Sequence, residues 1–176
     1  MLFSIAAMDP LYYTEVESPV GKLVIAVSER GLVKLEFPQR TNAVTSVGSP
    51  SPAQRKLVKE CEQQLSEYFA GQRREFTVPL DLRGTPFQVA CWNALLAIPY
   101  GETRSYAEIA RAVKRPQGFR AVGLANNRNP VAIIVPCHRV IASDGTLCGY
   151  GGGLDLKRRL LELEGALAVA QSVLIA

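Results

Sequence analysis

Three helix starts, each spelled out by a cap, leave little freedom in how this chain can be assembled. Ser51-Pro52 is an N-cap followed by proline at the first helical position, where the missing N–H is not needed. The helix it opens is predicted to run to about Ala70 and to stop at Gly71. Along it Leu57, Cys61, Leu65 and Phe69 recur every four residues, so one stripe faces a core and Cys61 is a buried, inert thiol. Thr85-Pro86-Phe87-Gln88 is a capping box that opens a second helix through Leu96, ending before Pro99, with Cys91 and Trp92 inside it as packing residues. Ser105-Tyr106-Ala107-Glu108 is another capping box and starts a short helix to about Val113. Pro116 and Gly118 then break the chain before a last helical stretch, Phe119 to Asn126.

Before the first of these caps the pattern changes. Leu11 to Val16, Leu23 to Val27 and Leu32 to Phe37 are short β-branched or aromatic runs, separated by Ser18-Pro19-Val20-Gly21 and Glu29-Arg30-Gly31, which predicts two hairpins. A loop rich in Ser, Thr and Asn runs from Gln39 to Pro50, and a further strand is expected at Glu75 to Leu80. The fold class is therefore α+β: a small N-terminal antiparallel sheet with a helix, then a mainly helical part containing a helix-turn-helix. A change of composition at Asp81 to Gly84 places the boundary between an N-terminal support domain, residues 1–82, and a second domain, residues 83–176. At 176 residues, 48% hydrophobic and 20% charged, the chain can bury a core without metal or disulfide staples. Residues 1–9 read as a tail without a basic n-region, and the apolar C-terminal stretch from Ala166 is too short to span a membrane. Four cysteines without a C-x-x-C pair point to reduced thiols in a cytoplasmic setting.

Charge is distributed unevenly. The net charge is +4, and all of the excess lies after residue 100. From Arg111 to Arg139 there are six basic side chains (Arg111, Lys114, Arg115, Arg120, Arg128, Arg139) and no acidic one. That suits a polyanion such as nucleic acid, or equally a basic surface that maintains solubility. The stretch coincides with the helix-break-helix pattern, which favours the nucleic acid.

Pro136-Cys137-His138-Arg139-Val140 follows the apolar run Val131 to Val135, which reads as a strand, and precedes Cys148-Gly149-Tyr150-Gly151-Gly152-Gly153. His138 is the only histidine. A thiol needs a base or cation to become a thiolate near neutral pH, and this pair supplies both members. Adjacent side chains of a straight strand point to opposite faces, so cooperation requires a bend after Pro136 or a bridging water.

The hexapeptide P-C-H-R-V-I resembles the active-site motif of the O6-alkylguanine-DNA alkyltransferases. The match continues through Gly84 to Gln88, Ile98-Pro99-Tyr100-Gly101-Glu102-Thr103, Arg120-Ala121-Val122-Gly123 and Leu163-Glu164-Gly165, about half of the chain. The resemblance implies that Cys137 accepts the alkyl group, that His138 is a base acting through water, and that Glu164 holds the imidazole. It makes Asn129 a hinge that braces the active-site segment, Tyr106 the residue at the target phosphate and base, and Arg120 the side chain that fills the gap left by a flipped base. Ala121, Gly123 and Ala125 are the small residues that let the recognition helix approach the minor groove, and Val140, Tyr150, Gly151 and Trp92 belong to the pocket. The implied partner is double-stranded DNA carrying O6-alkylguanine, with O4-alkylthymine as a second substrate. The protein is expected to act as a monomer in the cytoplasm, with no obligate protein partner, no cofactor and no metal.

Three positions depart from the family pattern: Gly151 and Ala132 stand where some relatives carry serine and proline, which loosens the pocket wall, and Cys148 stands where glycine is more usual. Two other functions compete. A damage-recognition module would bind lesions without transfer, but such proteins lack the acceptor cysteine. A thiol hydrolase would use Cys137 and His138 but leave the basic stretch unexplained.

Overall fold

The computed structural model describes residues 10–37 and 48–167. The N-terminal tail, most of the loop after Phe37 and the residues after 167 lie outside the described residues. Strands β1 (Tyr12–Val16), β2 (Leu23–Val27) and β3 (Leu32–Glu36) form an antiparallel sheet in the order β1-β2-β3, with Thr14 opposite Ile25 and Ile25 opposite Leu35. Helix α1 (Pro52–Phe69) packs against β2 and ends as Gly71 takes a left-handed φ of 71°. Its N-terminus is closed by a full capping box, in which Ser51 accepts from Gln54 N while the Gln54 side chain accepts from Ser51 N.

No strand forms over Glu75 to Leu80. Gln64 on α1 takes up the backbone N–H of Thr77, and Pro79 has no N–H to give to a ladder. Only Leu80 bridges Leu32, through Leu32 N to Pro79 O and Asp81 N to Leu32 O. The other end of β3 is used in the same way. Leu35 N donates to Pro130 O, and Ala132 N donates to Leu35 O. The outer edge of the sheet thereby holds the segment that leads to Cys137.

The remaining elements are α2 (Pro86–Leu96), β4 (Arg104–Ser105), α3 (Tyr106–Ala112), α4 (Phe119–Asn127), β5 (Val140–Ile141) and α5 (Leu154–Leu163), with β4 and β5 paired in parallel. Helices α2, α3 and α4 pack on one another. Trp92 of α2 is buried, its indole N–H donating to Ala125 O at 2.9 Å. One continuous core runs from Ile25 and Leu35 of the sheet through Cys61, Trp92 and Val122 to Val140 and Leu160. Each aliphatic side chain of that kind contributes about 1.5–3 kcal/mol on burial.

The apolar run Val131 to Val135 is not a strand beyond the single bridge at Val131. It folds into tight turns, with Ile134 N bonded to Ala132 O and Val135 N to Val131 O. Ile133 is forced to a φ of 70° while fully packed. A β-branched residue there stores about 1–3 kcal/mol of strain, which the surrounding packing must offset.

Candidate active site

Cys137, His138 and Arg139 form a single 3-10 turn behind Pro136. At three residues per turn, successive side chains diverge by roughly 120° rather than the 180° of a strand. The bend after Pro136 that cooperation demands is therefore present. Cys137 faces Asn129, and His138 and Arg139 face Glu164.

Asn129 follows α4 and is buried. Its Nδ2 donates to Val135 O at 2.8 Å and to Cys137 Sγ at 3.1 Å, while its Oδ1 accepts from Val131 N at 3.0 Å. One side chain thus closes the turns of residues 131–135 and holds the sulfur. A sulfur that accepts N–H bonds is better suited to carry negative charge.

On the other side of the turn, His138 Nε2 lies 2.8 Å from Glu164 Oε1, and both side chains are fully buried. Arg139 brackets the same carboxylate, Nε on Oε2 at 2.8 Å and Nη2 on Oε1 at 3.0 Å, and anchors itself through Nη1 to Ile98 O. Burial by itself pushes the Glu164 carboxyl up, but the hydrogen bonds from His138 and Arg139 outweigh it and hold the group at about 2. Burial lowers the His138 pKa, against the pull of Glu164. The imidazole is therefore neutral at neutral pH, with its proton on Nε2 toward the carboxylate. Nδ1 is buried and has no protein partner among the described residues, which leaves it as the acceptor of a proton.

Two side chains of the site carry no motif signal. Lys157 on α5 is fully buried, and its Nζ donates to Val140 O and to Cys148 O, joining β5 to the glycine-rich segment. Burial lowers its pKa, while the thiols of Cys148 and Cys137 nearby act in the opposite sense. Tyr68, from α1, donates to Glu164 Oε1 at 2.7 Å. For Lys157 the signal was available: Lys157, Leu160, Leu161 and Glu164 share the buried face of α5, and a lysine in an apolar stripe needs a partner.

The wall opposite is built from the glycine run. Val140 is buried, and Tyr150 packs edge-on to Phe37 with centroids 6.2 Å apart. Gly151 is exposed beside it. A Cβ on Gly152 would stand 2.7 Å from Leu156 and 3.0 Å from the Phe37 ring, so the close approach requires glycine. Tyr106, the first residue of α3, places its hydroxyl 3.4 Å from the carbonyls of Cys148 and Gly149, and burial raises its pKa. Gly123 of α4 lies beside the Tyr106 ring, where even a Cβ would be 3.8 Å away. Next to it Ala121 and Arg120 are exposed, and the Arg120 guanidinium lies 5.8 Å from the Phe119 ring centroid.

Two expectations need correction here. Ala125 is buried, and its carbonyl is bonded to Trp92, so of the three small residues only Ala121 and Gly123 remain on the open side of α4. Arg139 is the buried partner of Glu164 and adds nothing to the basic surface. The exposed cations of that stretch are Arg111, Lys114, Arg115, Arg120 and Arg128. Elsewhere, burial, reinforced by the charge of Glu62, pushes the Cys61 thiol up to about 12, and burial raises that of Cys91.

A buried thiol, a neutral imidazole held by a carboxylate, and a basic helix pair beside them define a class of proteins that combine a cysteine nucleophile with a helix-turn-helix scaffold. Comparison with known proteins narrows that class. The family model described as 6-O-methylguanine DNA methyltransferase, DNA binding domain, matches residues 86–166, and the one described as 6-O-methylguanine DNA methyltransferase, ribonuclease-like domain, matches residues 11–82. A methylated-DNA–protein-cysteine methyltransferase of Methanosarcina barkeri is 48% identical over 154 residues, covering 88% of this chain and 97% of that protein. One from Mycobacterium leprae is 51% identical over 154 residues, covering 88% and 92%. The crystal structure of Mycobacterium tuberculosis OGT in complex with DNA superposes with a TM-score of 0.79 at 50% identity, covering 88% of this chain and 93% of that one. The chain belongs to the 6-O-methylguanine DNA methyltransferase family.

Proposed function

We propose that this protein repairs DNA by direct reversal, moving the alkyl group from O6 of an alkylated guanine onto its own Cys137, once per molecule. The observation that carries this reading is Asn129, which holds Cys137 Sγ at 3.1 Å while locking the segment that delivers it. As the sulfur attacks the alkyl carbon in line, the S–C bond forms and the C–O6 bond breaks. The electron pair passes into the purine, and the proton lost by the thiol ends on N1 of guanine. His138 takes that proton first, through a water at Nδ1, with Glu164 holding the imidazolium that forms. The thioether product is stable, so the protein is consumed.

The atom attacked is buried in a duplex, so the target nucleotide must leave the stack, at a cost of a few kcal/mol. Arg120 fills the gap, Tyr106 meets the phosphate and donates to the base, and Ala121 with Gly123 lets α4 approach the minor groove. Val140, Tyr150, Gly151 and Trp92 form the pocket and its backing, and O4-alkylthymine is a second substrate. Residues 83–176 act as the DNA-binding and transfer domain, with residues 1–82 in support. The partner is DNA, bound by a cytoplasmic monomer without an obligate protein partner. Among the described residues no helix is long and apolar enough to cross a membrane.

The test is intact and peptide mass spectrometry after mixing the protein with a duplex carrying one O6-methylguanine. One added methylene on the Cys137 peptide, at one equivalent, is the expected result, and Cys137→Ala should bind the duplex without acquiring it. Transfer that survives in Cys137→Ala would sink the assignment.

A further inference from the structure

The carboxylate of Glu164 is served from two distant parts of the chain. Oε2 accepts from Arg139 Nε, and Oε1 accepts from Arg139 Nη2, His138 Nε2 and Tyr68 OH. Three donors converge on Oε1 and one on Oε2, so this buried carboxylate is held chiefly through the oxygen that faces His138. Three of the four come from the catalytic turn itself. The fourth comes from α1, across 96 residues of sequence, and makes the shortest bond of the set, 2.7 Å.

We propose that Tyr68 is a positioning residue for alkyl transfer, its hydroxyl completing the donor set around Glu164 and thereby fixing the orientation of the His138 imidazole. This rests on the reading of His138 as the base. Tyr68 is itself immobile: it is fully buried, with Phe69 and Phe76 at centroid distances of 5.3 Å and Tyr100 at 6.2 Å. Burial and the charge of Glu164 raise its pKa, so the phenol keeps its proton and always donates. The bond also draws charge from Oε1, the oxygen that faces His138. The other charged groups acting on the imidazole, Arg139 and Lys157, work in the same direction, against its protonation. With the phenol removed, the carboxylate loses a donor that fixes its orientation, Oε1 carries more charge toward the Nε2 proton, and the imidazole is more easily protonated.

His138 is the only histidine, so imidazole NMR of labelled protein reports this ring alone. In the unmodified chain the proton must sit on Nε2 at neutral pH; an Nδ1-protonated ring would overturn the proposal before any variant is made. In Tyr68→Phe, which keeps the ring and its packing, the His138 pKa should rise. The acid limb of the transfer-rate profile should move up with it, and the rate near pH 7 should fall by about threefold to tenfold, well short of the roughly 10²–10⁴-fold that a positioned base itself supplies. Duplex binding should stay as it was. An unchanged His138 titration with an unchanged pH profile would overturn the proposal and reduce Tyr68 to packing. If the unmodified protein titrates as described but never acquires the methylene, the functional reading fails instead, and the NMR result still stands.

Discussion

His138 turns acid stability into a reading of the site. Its folded pKa lies below the ordinary value of about 6.5 because burial penalises the imidazolium. Below pH 6.5 the unfolded chain therefore binds a proton that the folded chain refuses, and stability falls as pH falls, by at most about 1.4 kcal/mol per unit for one proton. Glu164 has the usual carboxylate sign. Held at about 2, it contributes stability above the unfolded value of about 4.3, and that contribution is lost between there and 2. The His138 loss begins near pH 6.5, above the point where Glu164 starts to lose its contribution, and no second histidine blurs it. Urea denaturation at pH 7 and pH 5 should show a loss of up to about 2 kcal/mol that is absent in His138→Gln. An equal loss in the variant would mean that the imidazole titrates normally in the folded state.

At the scale of elements, α3 and α4 divide the work on DNA in the proposed reading. The Ser105 hydroxyl accepts from Glu108 N, and Glu108 Oε2 accepts from Ser105 N, so the first turn of α3 is fixed and Tyr106 with it. Arg120 is free of such constraint at the exposed start of α4. Arg120→Ala should slow repair of a duplex by tenfold or more, the few kcal/mol of unstacking then being uncompensated, and should slow repair of the same lesion in a single strand far less. Equal losses on both substrates would remove Arg120 from the extrusion step.

The capping boxes made α2 and α3 legible almost to the residue, because a cap is a local interaction between neighbours in sequence. The segment Val131 to Val135 was not legible. Its β-branched residues favour a strand, but the bonds of Asn129 and the edge of β3 impose turns, even driving Ile133 to positive φ. Tyr68 was hidden for the same reason on a larger scale: no spacing rule connects α1 to Glu164, and only the shared core brings them together. Cys137, His138 and Glu164 could be read because the motif carries them.

For the molecule as a whole, charge must be counted after folding, not before. A stretch that reads as six cations presents five, since Arg139 is neutralised inside by Glu164, and Lys157 is likewise withdrawn onto two carbonyls. Counterion release depends only on cations that reach phosphates, each lowering the slope of log K against log salt by about 0.9. Affinity for undamaged duplex should therefore fall steeply with salt, with a slope no steeper than about −4.5 from this stretch. Arg111→Gln, Lys114→Gln, Arg115→Gln or Arg128→Gln should each flatten the slope by up to about one unit, according to whether that side chain meets a phosphate. Arg139→Gln behaves differently. It leaves Glu164 buried with both guanidinium donors missing, which costs about 3–5 kcal/mol of stability, while the slope measured on the remaining folded protein stays unchanged. Measuring binding from 50 to 300 mM salt beside urea denaturation separates the two kinds of arginine. A flattened slope in Arg139→Gln would show that this guanidinium reaches DNA and that the buried pair opens on binding.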